Sequence, residues 1–139
     1  MDTRLIGIVG GMGHEAGLDL AAKVARIWPR QNGTARYIIA SDGDIPDRTA
    51  ALLHNGADFV PAIVEQLERL HQAGADLAAI ACNTAHARID VIRQQSPIPV
   101  LDMIELTCVH IGQTVGRTER IGILGTRATL QLDLYGSKL

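Results

Sequence analysis

The sequence predicts an α/β fold: a doubly wound parallel sheet with flanking helices. Three observations predict it. Short apolar runs recur along the chain, each ending in glycine or in polar residues. Amphipathic segments of helical length separate these runs. The two kinds of segment alternate strictly, and that is the signature of a parallel sheet built from strand–helix–strand units.

The elements follow in order. Leu5 to Val9 is an apolar run closed by Gly10 and Gly11, which reads as a buried strand. Glu15 to Ile27 carries Ala16, Leu20, Val24 and Ile27 at helical spacing, with Pro29 just beyond its end. Arg36 to Ala40 is a second short strand, and Ser41 to Arg48 a polar loop. A helix over Asp58 to Gln72 places Val60, Val64, Leu67 and Leu70 on one face, with Gly74 as its C-cap. Leu77 to Ala81 is the third strand and Thr84 to Gln94 the next helix. Pro97 and Pro99 frame a turn into a short strand at Val100 and Leu101. Ile104, Cys108, Ile111 and Val115 then form a helical stripe. Arg120 to Leu124 reads as a further strand and Ala128 to Leu139 as a helix. Together these make a Rossmann-like three-layer arrangement, in which ligands bind at the carboxyl ends of the strands.

Ile6-Gly7-Ile8-Val9-Gly10-Gly11 is echoed by Ile121-Gly122-Ile123-Leu124-Gly125-Thr126, 115 positions later. On this repeat, residues 1–117 form a first α/β domain. Residues 118–139 then supply the first strand and helix of a second, pseudo-symmetric one. The strand of that second unit would lack neighbours. Uncovered strand edges pair with other chains, so a homodimer through this segment is expected.

Composition narrows the function classes. At 139 residues with 47% hydrophobic residues, the chain can build one sizeable core. A net charge of -2 without a basic run argues against nucleic acid, and scarce aromatics remove the stacking platform that single strands need. No apolar stretch is long enough to span a membrane. The first residues have an acid at position 2 and too short an apolar run for a signal peptide. Two cysteines, Cys82 and Cys108, make no disulfide framework, so a cytoplasmic setting is expected. The ending Ser137-Lys138-Leu139 also spells a peroxisomal address, although a helix that stops there explains it equally well.

Cys82 follows a buried strand and precedes Asn83, Thr84 and a helix. Backbone N–H groups at such a junction have no helical carbonyl to bond, and the helix dipole favours an anion there. Thiols so placed ionise more readily. The same N–H groups, with the Asn83 and Thr84 side chains, could hold a carboxylate. A carboxylate held beside a thiolate suits removal of a proton from the adjacent carbon. A small buried hydrophobe is the plain alternative for Cys82, but two polar residues directly after it favour chemistry. Cys108 lies on an apolar stripe that core packing explains. Cys82 and His86 are four apart, which is a poor case for a metal without further ligands. His86 is expected on the helix surface or behind the site.

Gly11-x-Gly13-x-x-Ala16 matches the dinucleotide fingerprint in form, with Asp42 shortly after the second strand. An NAD-type dinucleotide-binding oxidoreductase is therefore a rival reading, and a tight strand-to-helix turn is a third. Arg48, on the same rim, could grip a carboxylate in two-pronged fashion or lie in solvent.

Four stretches, GIVGGMGHEA (7–16), DIPDRT (44–49), ACNTAH (81–86) and LGTRATL (124–130), resemble the aspartate/glutamate racemase family. The resemblance is closest to its aspartate-directed members and implies a racemase that works without pyridoxal phosphate or any other cofactor or metal. In that family two similar α/β domains face each other across the substrate. Each offers a cysteine to one face of the α-carbon. The resemblance places the first cysteine at Cys82. It implies that Gly11, Met12, Asn83, Thr84 and Thr126 hold the substrate's α-carboxylate and amine, and that Arg48 holds its side-chain carboxylate. The family's second cysteine has no counterpart up to Leu139, so this sequence looks truncated in the second domain. A remnant that binds small acids without turning them over is the non-catalytic alternative.

Overall fold

A computed structural model describes residues 4–28, 33–116 and 119–139. Pro29 and the expected domain boundary between residues 117 and 118 lie outside the described residues. The chain forms an α/β fold around one parallel sheet of four strands. These are β1 (Leu5–Gly10), β2 (Arg36–Ser41), β3 (Leu77–Ile80) and β4 (Val100–Leu101), in the order β2-β1-β3-β4. All neighbouring pairs run parallel. Among the described residues no helix is long and apolar enough to cross a membrane.

Side chains of a strand alternate between faces, and β1 feeds both layers. Ile8 packs with Ala21 and Leu20 of α1 (His14–Ile27) on one face. Val9 packs on the other, in the larger core with Ile63, Leu67 and Leu70 of α3 (Val60–Gln72). α3 ends as the sequence predicts. Gly74 takes φ +89°, its N–H bonds to the His71 carbonyl, and the Ala75 N–H bonds to that of Leu70. This is the two-bond glycine stop that satisfies the last helical carbonyls.

The strand order places a switch point between β1 and β3. From β1 the chain crosses to β2 on one side, and from β2 it returns past β1 to β3 on the other. Ligand crevices open outside the carboxyl ends of the strands at such a point. Gly11 makes the turn possible there, because its φ is +93° and a Cβ would lie 2.0 Å from the Asp42 carbonyl oxygen.

The polar loop after β2 stands as expected, and a short helix not read from the sequence follows it, α2 (Arg48–Leu53), because the Asp47 carboxylate caps it by accepting from the Ala50 N–H at 2.6 Å. Three local expectations are corrected. The expected helix 84–94 is split into a 3-10 turn (Thr84–Arg88) and α4 (Ile89–Gln95). Thr84, Ala85 and His86 are all buried, and three consecutive residues cannot share one face of an α-helix. Arg120 to Leu124 is not a strand. A strand needs a ladder partner, none runs beside this segment among the described residues, and Leu124 is fully exposed. Beyond it, the expected helix to Leu139 stops early: α6 (Arg127–Gln131) is followed by turns, with Asp133 at φ +49° and a 3-10 turn at Gly136–Lys138. α5 (Met103–Thr114) carries the predicted stripe, with Ile104 and Cys108 buried.

Candidate functional site

Six of the seven residues singled out for the site converge on one cleft at the switch point. Met12, Arg48, Cys82, Asn83, Thr84 and Thr126 line a cavity of about 270 Å³. The seventh, Gly11, forms the turn that delivers Met12. They arrive from four pieces of chain: the β1 exit, the start of α2, the β3 exit, and the segment leading into α6. Cys108 stands apart, buried on α5, with its Sγ 3.9 Å from the Tyr135 carbonyl.

Cys82 sits just past β3, half-buried against the main core. Its own N–H donates to the Ile80 carbonyl at 2.8 Å, so it is not part of an anion cradle, contrary to the picture of a helix opening directly at this residue. The regular α-helix begins only at Ile89. Polar side chains line the cleft instead, among them those of Asn83, Thr84 and Thr126.

Thr84 is buried and joins two hydroxyls of the later segment, Thr126 at 2.7 Å and Thr129 at 3.2 Å; these two lie 3.0 Å from each other. Thr126 also caps α6 by accepting from the Thr129 N–H. The hydroxyl triangle therefore fastens α6 to the cysteine turn. The Tyr135 hydroxyl donates to the Asn83 amide oxygen, which leaves the Asn83 NH2 as the free end of that side chain. Sequence reasoning missed Thr129 and Tyr135. The spacing of Thr126 and Thr129, a cap residue and its bonding partner three positions on, was the available signal for the first. Nothing local marked the second.

Arg48 is fixed by its own loop. One guanidinium nitrogen, Nη1, donates to the Ile45 carbonyl at 3.0 Å and the Pro46 carbonyl at 2.9 Å. Its Nε is buried without a hydrogen-bond partner. A buried donor without a partner is costly, and here it belongs to a side chain lining the cleft. Arg48 is thus held by its own loop at the edge of the cleft, not left free in solvent.

His86 is buried rather than on a helix surface. Its Nδ1 lies 2.7 Å from the Cys82 carbonyl, and its Nε2 accepts from the Met103 N–H at 3.2 Å. Burial pushes its imidazole below the ordinary value of 6.5, against the opposing pull of the Cys82 carbonyl and Asp102. Asp102 lies close by. Burial would raise its carboxyl, but the Glu105 N–H and the Lys138 ammonium outweigh that and hold it below the usual carboxylate range.

Asp42, the acid of the dinucleotide reading, accepts from the Gln66 side chain at 2.9 Å and the Asp44 N–H at 2.9 Å. Its carboxylate is thus committed to holding the loop after β2, away from the role of a ribose ligand.

Comparison with known proteins finds relatives of the chain. The family model for Asp/Glu/Hydantoin racemase matches residues 9–139. An aspartate racemase from Picrophilus torridus superimposes with a TM-score of 0.83 at 29% identity, over 97% of this chain and 58% of its own. A broad specificity amino-acid racemase from Bacillus subtilis is 32% identical over 74 residues, 53% of this chain and 31% of its own length. A glutamate racemase from Levilactobacillus brevis is 31% identical over 122 residues, 86% of this chain and 41% of its own length. The chain thus spans well under two thirds of each of these proteins. It belongs to the Asp/Glu/Hydantoin racemase family.

Proposed function

We propose that the cleft is one half of a cofactor-independent racemase site for an acidic α-amino acid, with aspartate as the first candidate. The supporting observation is the convergence of one thiol, one arginine and several neutral donors in a cavity of about 270 Å³, a volume suited to a small metabolite rather than a dinucleotide. In this reading the Cys82 thiolate takes the α-proton from one face: the Cα–H bond breaks, an S–H bond forms, and the electron pair spreads into the α-carboxylate. Asn83, Thr84 and Thr126, with the Gly11-Met12 turn, hold that carboxylate and the amine, and neutral donors aimed at developing charge stabilise it. Arg48, at the edge of the cleft, takes the side-chain carboxylate. An acid on the opposite face returns a proton and completes inversion.

The test is chiral chromatography of L-aspartate incubated with the purified chain, beside a Cys82→Ala control. D-aspartate formed only with the cysteine present supports the racemase. Thermal stabilisation by aspartate without any chemistry supports an acid-binding module instead.

A further inference from the structure

We infer that His86 is a positioning residue for Cys82: as the neutral Nδ1–H tautomer, it ties the backbone of the cysteine turn to the start of α5. The inference rests on Cys82 as the reactive group of the site proposed above.

The tautomer follows from the two partners. The Cys82 carbonyl 2.7 Å from Nδ1 can only accept, so Nδ1 carries the hydrogen. The Met103 N–H can only donate, so Nε2 accepts from it, with the Leu101 backbone also against the ring. One buried ring thus spans two backbone groups 21 positions apart in the chain, and it does so through the carbonyl of the residue whose thiol faces the cleft. β3 ends at Ile80 and the first regular α-helical turn begins at Ile89. Between them the Cys82 backbone is fixed by its N–H bond to Ile80 and by this imidazole. The charged groups facing the ring are Asp102, whose carboxylate is paired with Lys138, and Arg93 on α4.

Two substitutions separate positioning from packing. Asparagine places an NH2 where Nδ1 stands and keeps the bond to the Cys82 carbonyl, whereas glutamine reaches the place of Nε2 and keeps only the bond to Met103. In His86→Gln the Cys82 carbonyl must turn to water, which opens the turn and exposes the thiol. The measurement is the rate of Cys82 alkylation by iodoacetamide, followed by peptide mass mapping so that Cys108 is counted separately. His86→Gln should react about fivefold faster than the unmodified chain, the population change set by the net worth of one hydrogen bond. His86→Asn should stay within about twofold. Equal rates in both variants, or equal acceleration in both, would overturn the inference. Should either variant fail to fold, 15N NMR of the unmodified protein decides. A protonated Nδ1 with a bare Nε2 upholds the anchor, and the opposite tautomer refutes it. Neither readout involves substrate chemistry, so a chain without Cys82-dependent α-proton exchange would sink the proposed function and leave this inference standing or falling by itself.

Discussion

Replacing Arg48 by lysine probes the acid-recognition half of the site. Nη1 is committed to the Ile45 and Pro46 carbonyls, and the buried Nε has no partner. A guanidinium carries five N–H donors, so it can satisfy its loop through Nη1 and still offer Nη2 to a ligand carboxylate. An ammonium has three donors on one point and cannot span both. If lysine stays with the carbonyls, a ligand carboxylate loses at least one charge-assisted hydrogen bond, about 1.5–3 kcal/mol. That is about 10- to 150-fold in affinity. Isothermal titration of L-aspartate into the two proteins measures it, with L-alanine, which lacks the second carboxylate, as the control ligand. Aspartate affinity should fall by that factor while alanine affinity changes by less than about threefold. A fall of equal size for both ligands would mean that Arg48 shapes the cleft without reading the side chain. Unchanged aspartate binding would remove Arg48 from the site altogether.

Three further outcomes follow from the same geometry. Thr84→Val keeps the shape but removes two of the three hydroxyl contacts, so urea unfolding should show a loss of about 1–3 kcal/mol, together with faster amide exchange in α6. The buried neutral His86 has a depressed folded-state value, so its contribution to stability is complete above about pH 6.5 and erodes as pH falls from there toward the folded value. Thermal melts across pH 5–8 should show this erosion, and His86→Asn should flatten it. The unpaired apolar segment around Leu124 is proposed to pair two chains; sedimentation should report a dimer, and a monomer at high concentration would remove that expectation.

The sheet was legible because β1, β2 and β3 are short apolar runs bounded by unmistakable glycine and polar stops. α3 was legible through its spacing and through Gly74. The site residues were legible only where local chemistry and the motif stretches met, as at Cys82-Asn83-Thr84. Arg48 was ambiguous in sequence because its partners are carbonyls of its own loop, which no pattern of side chains encodes. His86 lies behind the site and not on a helix surface, because a 3-10 turn, unlike the α-helix that the spacing predicts, buries consecutive residues. The segment 120–124 failed for a different reason. Its residues carry strand propensity, but a strand is a property of a pair, and propensity without a partner does not make a ladder.

The central claim is that Cys82 is the acid–base group at a substrate α-carbon. It is tested most directly by incubating L-aspartate with the chain in D2O and following loss of the α-proton signal by NMR, beside Cys82→Ala. The account predicts exchange that depends on Cys82. Exchange that persists without Cys82, or no exchange from a chain shown by titration to bind aspartate, would contradict it.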